Sequence, residues 1–329
     1  MSDRPVDGPV PGSIEVRVSG ATGRIRWEAI ELPRVLGEIR PAPDLYHATW
    51  NHGVPARLPF PTLLSLHDVI PWVHPKLVPW PNPAPLHRWL YRRAVKASAR
   101  NAARIVTLSE ASRADIVERI PEAAAKIEVV PCAVPRWLTP ASPGTQDPYW
   151  LYFGGFDPRK GVDLLVDAMS RAFPDGTGAP VLVLAGAPNP LAASLAAAAS
   201  KRGLRVLLPG YVPDEGLAAL FAGASLFIYP SRAEGFGIPP LLAMAAGTPC
   251  LVSDVPAIRE VVGDSALLFP SGNVEALAER LAAAARDPAS LRPLTARGRE
   301  RAERFSLDAM VERMTRAYER AAARPGGSR

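Results

Sequence analysis

Strand-length apolar runs recur along almost the whole chain, each separated from the next by a stretch of helical character. They are Ile14–Val18, Thr62–Leu66, Arg104–Leu108, Ile127–Val130, Tyr149–Phe153, Val181–Ala185, Arg205–Leu208, Leu226–Tyr229, Cys250–Ser253 and Ala266–Phe269. Runs of this kind, without polar alternation, belong to parallel strands buried on both faces, and helices must then cover both faces. The expected class is α/β, with doubly wound sheets. A chain of 329 residues is long enough for two such domains. The alternation breaks at Thr139–Pro148, a stretch rich in Pro, Ser, Thr and Gly, which marks the linker. The expected division is a disordered lead-in over 1–13, a first Rossmann-like domain over 14–138, the linker over 139–148, a second domain over 149–305, and a terminal helix over 306–324. In that helix Ser306 is placed as N-cap, and Leu307, Met310, Met314 and Tyr318 fall at helical spacing, so it must rest on an apolar surface.

Several function classes are excluded early. The only cysteines, Cys132 and Cys250, lie in or beside apolar runs, which excludes a disulfide framework or a four-thiolate zinc site and leaves buried structural thiols. The longest apolar region, Pro180–Ala199, is interrupted by Pro188, Asn189 and Pro190 and cannot span a bilayer. The opening MSDRPVDGPVPG lacks a signal-peptide pattern, so the expected location is cytoplasmic. His47, His52, His67, His74 and His87 show no metal-ligand spacing, no Asp-x-Asp pair occurs, and no nucleophile elbow or Gly-rich phosphate loop of the common types is found. No metal site is therefore expected.

Two stretches carry chemistry. In Ser231–Asp254, a strand runs into a glycine-bearing loop and then into a helix opened by Pro239 and Pro240 and closed by Gly247. The free N–H groups and positive dipole end of such a helix bind anions. Glu234 stands at the loop's entrance, placed either to accept hydrogen bonds from ligand hydroxyls or simply to cap the helix. The second stretch, GGFDPRKG at Gly154–Gly161, sets Arg159 and Lys160 behind an Asp-Pro turn. Their charges either return over the strand ends to hold phosphate or form a solvated basic turn.

Taken together, GGFDPRKGVDLLVDAM and LFIYPSRAEGFGIPPLLAMAAGTPCLVSDVPAIREVVGDSALLFP resemble the donor-binding domain of glycosyltransferase family four, the retaining nucleotide-sugar transferases of GT-B fold. DLYHATW, PTLLSLHDVIPWVHP and ARIVTLSEASRADIV resemble that family's acceptor domain, especially in bacterial mannosyl- and rhamnosyltransferase-like members. The resemblance covers Asp44 to Ala323. It implies an interdomain cleft that transfers a hexose from a nucleoside-diphosphate sugar, such as dTDP-rhamnose or GDP-mannose, to a glycan, lipid-linked or small-molecule acceptor. It implies donor-site roles for Gly154, Gly155, Arg159, Lys160, Glu234, Gly235, Phe236, Gly237 and Ile238. Glu234 would bind donor-sugar hydroxyls, and His67 would lie near the reacting carbon, although a buried structural histidine fits the same residue. The terminal helix would cross back to the first domain.

Two departures from the family pattern stand out. A second glutamate normally follows the first after seven intervening residues and binds the ribose; here GFGIPPL leads to Leu242. An apolar residue at that place suits a deoxyribonucleotide better than a ribonucleotide. The first domain is also short: only Ile14–Pro43 precede the DLYHATW strand, and Gly20 and Gly23 are the candidates for the glycine loop. Both departures leave open a second reading, a non-catalytic GT-B subunit that partners an active transferase. A final feature is basic. No acid occurs from Val69 to Ser109, and Arg88, Arg92, Lys96 and Arg100 recur every four residues ahead of Arg104. That row suits a solvated face or peripheral contact with an anionic membrane on its inner side; nucleic-acid binding is not expected.

Overall fold

The computed structural model describes residues 30–56, 58–78, 85–138 and 148–323. The lead-in, the Ile14–Val18 run, Gly20, Gly23 and residues 139–147 of the linker lie outside the described residues.

The first sheet is parallel throughout, with β1 (Tyr46–Ala48), β2 (Thr62–Ser65), β3 (Arg104–Thr107) and β4 (Ile127–Val129) side by side in sequence order. Around it are α1 (Leu32–Glu38), the single turn α2 (Ile70–Val73), α3 (Pro85–Asn101) and α4 (Glu110–Arg119). Val95 and Ala99 of α3 and Ile116 of α4 pack with Leu64 and Ile105 on one face of the sheet. Ser109 caps α4 by accepting from the Ser112 N–H at 3.0 Å.

The second domain alternates strand and helix. β5 (Tyr149–Phe153), α5 (Val162–Ala172), β6 (Val181–Ala185), α6 (Pro190–Ser200), β7 (Val206–Gly210), α7 (Asp214–Ala222), β8 (Ala224–Tyr229), α8 (Ile238–Ala246), β9 (Cys250–Ser253), α9 (Pro256–Val262), β10 (Leu267–Phe269), α10 (Val274–Arg286) and α11 (Arg292–Glu303) follow in turn. The strands lie in the order β10-β9-β8-β5-β6-β7, all parallel. This is the doubly wound dinucleotide-fold order, whose direction of winding reverses between β5 and β8. Ligands of such sheets sit outside the carboxyl ends of the strands at that reversal, so the fold alone directs attention to the residues after Phe153 and Tyr229.

Both thiols are unpaired, Cys250 buried and Cys132 half-buried; burial pushes the Cys132 thiol up to about 11. The last helix, α12 (Leu307–Ala322), is capped by Ser306, whose side chain accepts from the Ala309 N–H. It lies on the first sheet. Ala317 and Ala321 are buried against Leu63, Val106 and Val130, with Met310 and Met314 at the margin, and Arg320 pairs with Glu128 at 3.0 Å. Tyr318 is 38% exposed, so the closest contact is made by alanines rather than by the larger residues of the expected stripe.

The basic row of α3 is only in part a solvated face. Arg92 and Lys96 lie over the Trp72 ring at 5.5 and 5.3 Å, and Arg100 is paired with Glu122 at 2.6 Å. Trp72 draws two of the cations onto the protein by cation–π attraction. Beside the exposed Arg93 and Arg100, α3 also presents Leu86 and Trp89 to solvent, 59% and 52% exposed, with Arg93 stacked on Trp89 at 4.8 Å. Among the described residues no helix is long and apolar enough to cross a membrane.

Candidate active site at the domain cleft

The turn after β5 brings its cations back onto the sheet. Asp157 accepts from the Arg159 N–H at 3.0 Å, and Gly161 follows with φ +67°. A Cβ at Gly161 would overlap the Pro230 carbonyl, so glycine is what lets this turn press against the end of β8. Gly154 and Gly155 are fixed at the strand end, the first donating its N–H to Ala185 O at 3.0 Å and the second accepting from the Tyr152 hydroxyl at 2.5 Å. Arg159 and Lys160 are consequently not a solvated turn; their side chains are 21% and 12% exposed.

Both point at Glu234. Lys160 Nζ, the Tyr229 hydroxyl and the Ser231 hydroxyl each lie 2.7 Å from Glu234 Oε1, while Arg159 Nη1 reaches Oε2 at 3.0 Å. The helix-capping alternative for Glu234 is thereby overturned, because the α8 N-cap is Gly237 and takes no side-chain bond. Burial on its own would raise the Glu234 carboxyl, but the Lys160 and Arg159 charges and the hydrogen bonds from Lys160 and Ser231 hold it below the usual carboxylate range. Burial lowers Lys160, and the Glu234 charge offsets only part of that effect. Burial, and next the Glu234 charge, push the Tyr229 hydroxyl far up, so it remains a donor. Since Oε1 already receives three donors and Oε2 one, the spare acceptor capacity of Glu234 lies on Oε2.

The first domain closes on this cluster. Ser109 and Ser112 both donate their hydroxyls to Gly235 O, at 2.7 and 2.9 Å. The Glu260 carboxylate of α9 receives the Glu110 and Ala111 N–H groups of α4 at 2.9 and 3.2 Å, so an acid of one domain caps a helix of the other. Gly235 is tightly approached: a Cβ there would stand 3.0 Å from both Cβ and Oδ2 of Asp68. Asp68 accepts from the Ile70 N–H at 2.9 Å. Desolvation raises its carboxyl, with the Ile70 bond and the Arg159 charge opposing.

His67 lies beside Asp68, between the domains' strand ends. Its backbone N–H donates to Asn51 Oδ1 at 2.8 Å and its Nε2 to Thr49 O at 3.3 Å. The carbonyl partner fixes the proton on Nε2, and Nδ1 is buried without a hydrogen-bond partner. His47 is engaged on both sides, by Tyr318 and Ser65 at 2.9 Å each; burial, and next the His67 charge, lower it.

Gly154, Gly155, Arg159, Lys160, Glu234, Gly235 and Gly237 are thus gathered at the β5–β8 reversal, with His67 across the cleft and Ile238, 44% exposed, at the start of α8. Phe236 and Leu242 are different: they are 3% and 5% exposed within the second domain's core, and Phe236 packs edge-on against Phe305. The role the resemblance implies for Phe236 is a backbone one, which burial of its side chain leaves intact, and the buried Leu242 side chain supplies no acid for a ribose. Tyr229, Ser231, Asp68, Ser109, Ser112 and Glu260 were not foreseen as site residues. Asp68 adjoins His67 in the LHD motif, and Tyr229 and Ser231 border the quoted loop, but Glu260 carries no local signal. Among the described residues no group of three His, Cys, Asp or Glu side chains is arranged to hold a metal ion.

Known proteins share this architecture. Residues 138–302 match the family described as glycosyl transferases group 1, and residues 2–136 match glycosyltransferase family 4. The chain belongs to the family-four glycosyltransferases of GT-B fold. The enzyme is 30% identical over 289 residues to O-antigen chain mannosyltransferase B of Escherichia coli, covering 83% of this chain and 74% of that one. It is 31% identical over 278 residues to the MMP alpha-(1->4)-mannosyltransferase of Mycolicibacterium hassiacum, covering 82% and 67%. The solved sucrose-phosphate synthase of Thermosynechococcus elongatus superimposes with a TM-score of 0.67 at 26% identity, over 80% of this glycosyltransferase and 68% of the other chain.

Proposed function

We propose that this glycosyltransferase moves a hexose from a nucleoside-diphosphate sugar to a glycan or lipid-linked acceptor, with retention of configuration and without a metal in the transfer step. The observation that carries the reading is the Arg159–Lys160–Glu234 cluster at the β5–β8 reversal, beside the N-terminus of α8. As the sugar–phosphate bond breaks, negative charge grows on the leaving diphosphate; Arg159, Lys160 and the positive end of α8 stabilise it. Glu234 Oε2 accepts from a donor-sugar hydroxyl, and the acceptor hydroxyl bonds to the sugar on the face the diphosphate leaves, its proton passing to the departing phosphate oxygen. Closure through Ser109, Ser112 and Glu260 excludes the water that would otherwise hydrolyse the donor. The exposed Leu86 and Trp89 of α3, with Arg93, support peripheral contact with an anionic membrane surface, where a lipid-linked acceptor would be met.

The absence of a ribose-binding acid at Leu242 favours a deoxyribonucleotide donor such as dTDP-rhamnose over GDP-mannose, since ribose hydroxyls find no charged partner there. Calorimetric titration with dTDP, UDP and GDP, with and without EDTA, tests the reading. The expected outcome is tightest binding of dTDP, unchanged by EDTA. Preference for UDP or GDP would overturn the deoxyribose argument, loss of binding in EDTA the metal-free one, and binding of none would favour a non-catalytic partner subunit.

A further inference from the structure

Arg159 and Lys160 are both bonded to Glu234, so a diphosphate taken up beside them has to draw them off that carboxylate. Each cation that turns to phosphate gives up a bond that holds its own turn against the loop after β8. The Pro158–Lys160 turn must then be held by something outside the Glu234 cluster.

Arg232, two residues before Glu234 in that loop, is placed to do this. Its backbone N–H donates to Arg159 O at 2.7 Å. Its Nη1 donates to Pro158 O at 2.6 Å and to Asp163 Oδ1 at 2.8 Å, and its Nη2 donates to Asp163 Oδ2 at 2.7 Å. Asp163 lies in the first turn of α5, just beyond Gly161. One side chain of the β8 loop therefore grips the β5 turn on both sides of its cations, at Pro158 before them and at Asp163 after them. A two-bond fork between planar groups fixes direction as well as distance, which a lysine in the same place cannot do. Burial on its own would raise the Asp163 carboxyl, but the Arg232 hydrogen bonds and charge hold it below the usual carboxylate range.

The fork is separate from the cluster it flanks. The bonds of Glu234 go to Lys160, Tyr229, Ser231 and Arg159, so they can be exchanged for phosphate while the fork stays closed. The Arg232 and Asp163 side chains are 22% and 51% exposed, and a pair so open to water adds little to folding stability. Its effect is on position, and a charge cluster stabilises a leaving diphosphate only if its members are held where the charge grows. We propose that Arg232 is a positioning residue whose fork with Asp163 keeps the Arg159–Lys160 turn in place while the two cations pass from Glu234 to the diphosphate. This inference rests on the donor-site reading and deepens it.

Calorimetric titration of the full chain with dTDP, UDP and GDP, in wild type, Arg232→Met, Arg232→Lys, Asp163→Asn and the Arg232→Met/Asp163→Asn double variant, tests it alongside ligand-free melting temperatures. Arg232→Met is expected to weaken the tightest-bound nucleotide about tenfold while lowering the ligand-free melting temperature by less than about 3 °C. Arg232→Lys, which keeps the charge without the fork, is expected to fall between wild type and Arg232→Met. The double variant is expected to bind about as weakly as Arg232→Met alone, because both changes break the same bond pair. Nucleotide affinity in Arg232→Met within twofold of wild type would overturn the proposal, and so would fully additive losses in the double variant. Tighter binding by Asp163→Asn would also overturn it, since an Arg232 that gains affinity when released from Asp163 is a ligand contact rather than a clamp. Binding of none of the three nucleotides by wild type would overturn the donor-site reading and the clamp with it, whereas binding by wild type that the variants leave unchanged sinks the clamp alone.

Discussion

Glu234 and Asp68 are carboxylates just past the ends of parallel strands, one on each bank of the same cleft, and desolvation acts on both. The outcome is opposite. Glu234 is held low by Lys160 and Arg159, whereas Asp68, whose opposing influences are weaker, is raised. The second domain's bank is internally satisfied: two cations, a phenol and a serine hydroxyl converge on one acid. The first domain's bank keeps capacity in reserve, with an unpartnered His67 Nδ1 and an exposed Trp50. A nucleoside diphosphate is much the same from one transferase to the next, and a preformed, rigid cluster suits it. Acceptors vary, and the bank that meets them is the one with bonds still to be made.

The largest test of this contrast is Glu234→Ala. It strands the buried Lys160 and Arg159 charges together and is expected to cost about 3–5 kcal/mol, read as a fall in melting temperature, while Glu234→Gln, which keeps an acceptor, loses less. An alanine variant that melts with the wild type would mean the cluster is not coupled as its geometry implies. Next in size is Glu260→Ala, which removes the acceptor of the Glu110 and Ala111 N–H groups across the domain boundary while Ser109 still caps α4, and is expected to cost about 1 kcal/mol. Small-angle scattering should show a larger radius of gyration in this variant, with nucleotide affinity by calorimetry within a fewfold of wild type; an unchanged radius would show that Glu260 does not hold the banks together.

The smallest effect is a matter of sign. Glu234, depressed in the fold, contributes stability above the ordinary carboxylate range, and that contribution is lost as pH falls through its folded value. Asp68, raised in the fold, does the reverse: its charged form weakens the fold near neutrality, and the deficit disappears as pH drops through its raised value. Asp68→Asn is therefore expected to melt slightly above wild type at pH 7, with the advantage fading on acidification, whereas Glu234→Gln melts below wild type at pH 7 and its deficit shrinks in acid. Parallel pH profiles for the two variants would break the comparison.

The sequence made the donor bank legible because its parts are contiguous. Arg159 and Lys160 lie within one turn of β5, and Glu234 and its glycines within one loop of β8, so strand patterning and helix-end chemistry locate them together. The strands themselves were legible for the same reason: Leu151–Tyr152, Leu182–Ala185 and Cys250–Val252 are apolar runs buried on both faces. What escaped notice acts at a distance. Glu260 caps residues far back in the chain, and nothing around it announces this. Ala317 and Ala321 seat the last helix because small residues permit close approach to the sheet, a property invisible to a search for large apolar side chains. The basic row of α3 was plain in sequence, yet Trp72, outside that helix, decides where two of its charges go.

The chain passes between the domains twice, once after β4 and again between α11 and α12. Those passages touch: the Val134 N–H donates to Phe305 O at 2.9 Å, and Phe305 in turn lies against Phe236 in the donor loop. One backbone hydrogen bond thus fastens the two passages to each other, and the residue that accepts it also packs on the donor loop. A ligand that displaces Phe236 would press on Phe305, and so on the one place where both crossings of the chain are joined.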